Sequence, residues 1–176
     1  MKNNNKIMLL LLILLGSTQV SHAQSDATME DVEYFIKRNF TMQDSYWKNG
    51  ESEYKTLYSD VSISIKDCDC KISYLSSSHG LEATKEDIEF SLSNISKTRS
   101  KISISDNEFS LDDKKLFELW IFSKENYKSI YRKYDSQGSE SYLNAYWLLN
   151  TNKDLLERLL KAFLRGSELC QKKDKF

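Results

Sequence analysis

Residues 151–173 read TNKDLLERLLKAFLRGSELCQKK, and this stretch decides how the rest of the chain must fold. At 100° per residue, Glu157, Arg158, Lys161, Arg165, Glu168 and Lys172 share one narrow arc, and leucines, Ala162, Phe163 and Cys170 fill the rest. The pattern predicts a helix from Thr151 to about Lys172. Thr151 and Asp154 are spaced as a capping box, in which a hydroxyl accepts an orphan amide and a carboxylate reaches back. An acid in the first turn also suits the positive end of the helix dipole. A surface helix needs an apolar stripe of only about 100°. Here roughly two-thirds of the circumference is apolar, so one sheet face does not satisfy it. The expectation is burial on two sides: by a sheet, and by either an N-terminal helix or a partner along the candidate contact flank Leu155, Ala162 and Leu169. Gly166 and Ser167 lie in the apolar arc, where a neighbouring backbone can come close.

The sequence upstream supplies the sheet. Val61, Ile63 and Ile65 alternate with serines, and Cys70, Ile72 and Tyr74 alternate on the opposite parity. That flip predicts a tight hairpin or bulge at Asp67–Asp69. Ile88, Phe90 and Leu92 make a third strand, Ile102 and Ile104 a fourth. Leu116–Phe122, nearly all apolar, makes a fifth, buried on both faces. Tyr127–Tyr134 and Tyr142–Leu149 follow as a sixth and seventh. Asp106-Asn107 and Asp112-Asp113 are turn signals. The segment from Thr41 to Ser59 reads as a loop with a short extended piece. Before it, Thr28–Phe40 reads as a helix, with Thr28 and Asp31 in capping-box spacing and Met29, Val32, Phe35, Ile36 and Phe40 on one face. The fold class is α+β: an N-terminal helix, about seven antiparallel strands in a curled sheet, and a long C-terminal capping helix.

Residues 1–23 stand apart. Lys2 and Lys6 precede the apolar run Ile7–Leu15, and Ser21-His22-Ala23 offers small residues at the two positions a signal peptidase reads. The segment is read as a secretory signal cut after Ala23. No later stretch is long and apolar enough to span a membrane. Residues 24–176 then form a single domain. The signal holds two of the 25 basic residues and none of the 26 acidic ones, so the net charge moves from −1 to −3. A near-neutral, mixed surface argues against nucleic acid as a partner. The destination is the periplasm or the outside of the cell.

Export permits disulfides. Three cysteines, Cys68, Cys70 and Cys170, allow one intramolecular bridge. The preferred pair is Cys70–Cys170, because Cys70 shares the inward parity of Ile72 and Tyr74; Cys68 is the alternative. The C-x-C spacing is not the C-x-x-C of redox sites, and Asp67 and Asp69 would raise a thiol pKa. His79, in a serine-rich loop, is the one histidine outside the signal. No G-x-S-x-G elbow accompanies it. The carboxylate pairs Asp67/Asp69, Glu86/Asp87 and Asp112/Asp113 lack the apolar pocket that acid–base catalysis requires. No calcium loop occurs. The sequence calls for no catalytic residue, no metal and no cofactor. Trp120 and Trp147 are assigned to the core. Tyr46, Trp47, Tyr54 and Tyr58 form a candidate contact patch that packs the first helix onto the sheet or, if exposed, meets a partner.

The order of elements over residues 59 to 172 resembles the pleckstrin-homology-like superfold. Its use in phosphoinositide binding does not carry over, because the first hairpin sets Lys66 against Asp67 and Asp69. The Ala-Gln signal end, the helix TMEDVEYFIKRNF, the hairpin VSISIKDCDCKISY, the strand EDIEFSLSNI and the final helix ERLLKAFLRGSELC together resemble a group of small uncharacterised secreted proteins of Bacteroidota. That resemblance implies a bacterial, exported origin and brings no activity. The function expected is an exported, non-catalytic module that binds an envelope or extracellular protein or a small ligand. The alternatives are a small hydrolase using a serine and His79, and a carrier of an apolar ligand inside the sheet.

Overall fold

The computed structural model describes residues 27–49, 52–78, 81–112, 114–124, 129–135 and 138–173. The expected signal segment, His79, Gly80, Asp113 and Tyr127 lie outside the described residues. Helix α1 (Met29–Asn39) opens them with the expected capping box: the Thr28 hydroxyl accepts from the Asp31 amide, and the Asp31 carboxylate accepts from the Thr28 amide at 2.9 Å. This holds the Asp31 carboxyl below its usual range.

An antiparallel sheet follows: β1 (Ser45–Asn49), β2 (Ser52–Lys66), β3 (Asp69–Ser78), β4 (Thr84–Ser91), β5 (Lys101–Ser110), β6 (Lys115–Phe122), β7 (Ile130–Tyr134), β8 (Ser139–Leu143) and β9 (Ala145–Asn150). Among the described residues nine strands stand where seven were expected, and two departures explain the difference. The polar, aromatic segment before Ser59 is β1 and the first half of β2, paired with Trp47 opposite Tyr54. The expected seventh strand is cut at Asn144 into β8 and β9. The Asp106-Asn107 turn signal produces a register shift inside β5 rather than its end.

The strand order is β8-β7-β4-β3-β2-β1-β5-β6-β9. The two outermost strands are therefore neighbours in the chain, separated by Asn144 alone, so the sheet must curl until its edges meet there. The Asn144 carbonyl accepts from the Ser123 amide at 2.9 Å and so ties the junction to the end of β6.

The β2–β3 turn has Asp67 at φ 48° and Cys68 at φ 75°, with Lys66 opposite Asp69. Two consecutive left-handed residues are what a two-residue hairpin of matching twist demands. The expected turn is there, but it overturns the preferred disulfide. Cys68, not Cys70, bridges Cys170, across a sequence separation of 102. The left-handed turn carries Cys68 off the strand ladder. Cys70 stays inside the ladder, opposite Ile65 and Phe90, free and buried. Burial pushes its thiol pKa well up, so it is an inert packing group.

Helix α2 (Lys153–Lys173) covers one end of the curled sheet. Its cap differs from the expected Thr151–Asp154 pair: the Asn152 side chain accepts from the Leu155 amide at 3.0 Å, and Asn150 accepts from the Asn152 amide. Leu156, Leu159, Phe163 and Cys170 are buried in one cluster with Ile65, Ile72, Phe90, Leu119 and Leu148. Burial of each large side chain there contributes about 1.5–3 kcal/mol. The second side of α2 is closed by α1. A Cβ built on Gly166 would lie 3.2 Å from Val32 Cγ1 and 3.1 Å from Leu92 Cδ1, so glycine permits this approach. Leu155, Ala162 and Leu169 are half-buried against the same core. No helix among the described residues is long and apolar enough to cross a membrane.

Candidate functional site

The inner face of the sheet changes character along its length. At the α2 end it carries Ile65, Cys70, Ile72, Ile88 and Phe90. Beyond them, at the same inward parity, come Tyr74 and Ser76 on β3, Glu86 on β4 and Arg132 on β7. Tyr58 and Thr56 of β2 join them opposite Ser76 and Ser78. These residues, with Met42, Leu143, Tyr146 and Trp147, line a cavity of about 190 Å³ at the uncovered mouth of the sheet. Glu86, Tyr74 and Tyr146 are its buried floor, while Ser78 and Trp147 are exposed at its rim.

Glu86 anchors the floor. Its Oε2 accepts from the Tyr74 hydroxyl at 3.0 Å, from Arg132 Nε at 2.9 Å and from Arg132 Nη2 at 2.6 Å. Its Oε1 accepts from Ser76 at 2.7 Å. The ring of Tyr134 lies 4.3 Å from the guanidinium carbon. A carboxylate and a guanidinium buried together are tolerable only when paired and hydrogen-bonded in this way. The pair leaves the cavity formally neutral and fixes the guanidinium plane.

Three phenols surround the pair. Burial, with Glu108 and Glu86 nearby, pushes Tyr58 up to about 12. Tyr74 and Tyr146 are driven well up, also mainly by burial. All three stay protonated through physiological pH. Tyr74 spends its proton on Glu86, whereas among the described residues the Tyr146 hydroxyl meets only the Met42 sulfur, at 3.8 Å, a weak acceptor. The Tyr58 hydroxyl and Arg132 Nη1 have no hydrogen-bond partner among the described residues. Donors thus converge on the cavity without acceptors of their own. Glu108, on β5 and close enough to raise Tyr58, is half-buried; burial raises its pKa against a hydrogen bond from Ser45 that lowers it.

The four residues of the expected aromatic patch are divided. Trp47 stacks on Tyr54 at 4.4 Å, half-exposed. Tyr46, on the other face of β1, is buried and stacks on Phe109 at 5.8 Å. Tyr58 alone enters the cavity, edge-on to Tyr74 at 5.7 Å. Trp120 and Trp147 are corrected from core residues to an outward row: they stack at 5.2 Å, and Trp147 is 40% exposed. Strand β6 buries its inward face through Leu119 and Ile121 and its outward face at Leu116, whereas Trp120 and Phe122 on the outward face are half-buried, under each other, Trp147 and the Arg99 guanidinium.

Sequence reading missed the Glu86–Arg132 centre. A signal existed: Glu86 shares the parity of Ile88 and Phe90, and Arg132 that of Ile130, so each is a charge at an inward position. Comparison of the chain with protein-family models, curated proteins and solved structures finds no match.

Proposed function

We propose that this protein is an exported binding module that holds a small, uncharged, hydroxyl-rich ligand of monosaccharide size in the mouth of its curled sheet. The observation that carries the proposal is the cavity floor: a self-neutralised Glu86–Arg132 pair flanked by the unsatisfied donors of Tyr58 and Arg132. A cavity of about 190 Å³ is smaller than the ~300–1,000 Å³ of pockets for larger ligands. An anion would gain little from an arginine already neutralised, and would face the Glu86 carboxylate. An apolar ligand would strand the buried polar groups. The Glu86 oxygens are fully engaged, which supports a positioning part for them rather than proton transfer. The Cys68–Cys170 disulfide supports the exported reading. The likeness to small secreted proteins of Bacteroidota, and to the pleckstrin-homology-like superfold through its sheet-then-helix order, belongs to the same proposal.

Isothermal titration with a panel of monosaccharides, their uronic acids and a fatty acid tests it. Binding of a neutral sugar, weakened by Tyr58→Phe with unchanged folding, is the expected result. Preference for the uronic or fatty acid, or binding indifferent to Tyr58→Phe, would overturn the assignment.

A further inference from the structure

Trp147 belongs to two surfaces at once. It stands at the rim of the mouth cavity, 40% exposed, and it stacks on Trp120 of the neighbouring strand at 5.2 Å. Both are open to it because β9 ends the strand order, so the inner and outer faces of the sheet meet beside it. Trp120 in turn lines a hollow of about 420 Å³ on the outer face of β5 and β6, a size within the range of small-molecule sites. It also stacks on Phe122 at 5.8 Å, and there the row is closed, because the Arg99 guanidinium lies 4.9 Å from the Phe122 ring centre. Aromatic surface thus leads from the mouth to the hollow and stops. The polar groups of the hollow are mainly acceptors. Asp106, Glu108 and Glu118 line it against Lys101 alone. None of the three carboxylates has an ion pair among the described residues. Glu118 accepts from Trp120 Nε1 at 2.7 Å and from the Ser103 hydroxyl at 3.2 Å, both on Oε2, which leaves Oε1 for a further donor.

We infer that the sugar held in the mouth is the terminal unit of a neutral oligosaccharide, whose chain passes over Trp147 and lays a following unit on Trp120, with its hydroxyls on Glu118 and Asp106. The inference rests on the reading of the mouth as a sugar site and extends that site around β9. Tryptophan rings offer an amphipathic contact that the C–H faces of pyranose rings match. Carboxylates accept from sugar hydroxyls, and Lys101 supplies a donor. The charge of the hollow selects against the other classes. Three carboxylates to one ammonium repel an anionic chain. An organic cation seated on Trp120 would meet Lys101, which stands opposite that tryptophan in the strand register.

Isothermal titration of the mature protein with glucose, galactose and mannose, a neutral trisaccharide built from each, trigalacturonate and tetramethylammonium tests it. The expected result is that the trisaccharide of a bound sugar binds at least about tenfold tighter than the sugar itself, or 1.4 kcal/mol. Tyr58→Phe is expected to weaken both. Trp120→Ala is expected to bring the trisaccharide down toward the affinity of the single sugar. Asp106→Ala, at an exposed position that carries no packing, is expected to act in the same direction. A trisaccharide that binds no tighter than its sugar, or a gain that survives both Trp120→Ala and Asp106→Ala, overturns the inference and leaves the mouth reading in place. Preference for trigalacturonate or tetramethylammonium overturns it as well. Absence of binding to every sugar overturns both readings.

Discussion

Replacing Cys68 by serine should destabilise the protein far more than replacing Cys70, although Cys70 is the more deeply buried. The bridge joins Cys68 to Cys170 across 102 residues. In the chain-entropy treatment, closing a loop of that length stabilises by roughly 4–5 kcal/mol, because the unlinked unfolded chain regains freedom. Against a typical total stability of about 5–15 kcal/mol the loss is large. With a urea slope on the order of 2 kcal/mol per molar, Cys68→Ser should move the unfolding midpoint down by about 2 M. Cys70→Ser removes no link. It sets a hydroxyl between Ile65 and Phe90 and should cost only about 1–3 kcal/mol. Urea unfolding of protein recovered from an oxidising compartment, with and without dithiothreitol, separates the two. The parent and Cys70→Ser should both lose stability on reduction, and Cys68→Ser should be indifferent to it. If Cys70→Ser instead abolished sensitivity to the reductant, the bridge would belong to Cys70 and the argument from the left-handed turn would fail.

At Gly166 a methyl group meets Val32 and Leu92 at tight distances, yet alanine gains about 1 kcal/mol of helix propensity, so Gly166→Ala should be nearly neutral. Gly166→Val, with two more carbons at that crossing, should cost about 1–3 kcal/mol by levering α1 from α2, and a thermal melt indifferent to it would refute the packing. At high pH the buried phenols govern stability: Tyr58 ionises near 10.0 when unfolded and near about 12 when folded, so the unfolded chain loses its proton first. Its stabilising share is whole below pH 10 and disappears as the pH rises to 12, about 2–3 kcal/mol from this residue. Phenolate absorbance followed beside circular dichroism should show a late group of tyrosines ionising together with unfolding. Complete ionisation of a still-folded protein would count against their burial.

Much of this architecture was legible because the hydrophobic period is clean where one face is buried. The α2 arc and the parity of Ile63, Ile72 and Ile88 follow from one strong term, apolar burial, and the α1 capping box follows from another, the need of orphan helix-end amides for acceptors. Errors arose where two terms competed. Residues 45 to 58 are polar and aromatic, so nothing in their period announced strands; pairing to β5 and β2 makes them so. Asn144 carries no strong break signal, yet the sheet changes edges there, a decision made by curvature rather than by local preference. Placing Trp120 and Trp147 in the core on their strand positions overlooks parity, which, with Leu119 and Leu148 inward, assigns them outward. The cysteine choice failed for the opposite reason: parity places Cys70 inward correctly, but the bridge is made by Cys68 in the turn, where parity no longer governs direction.

The mouth depends on a departure from strand regularity in β2. From Val61 to Ile65 the odd-numbered residues face inward. Continued without interruption, that alternation would turn Ser59 and Leu57 inward and Tyr58 out. Instead the β2–β3 register slips between Ser59 and Ser62, and Asp60 takes φ 52°. This bulge reverses the parity, so Tyr58 and Thr56 face Tyr74 and Ser76, and Leu57 is left 43% exposed. An aspartate tolerates the left-handed region better than most residues, at a cost that a regular strand would not carry. The same inner surface is thereby divided in two: an apolar half that α2 can cover, and a polar half that no apolar helix could cover without stranding Glu86 and Arg132. The strain at Asp60 is thus tied to keeping one end of the sheet open.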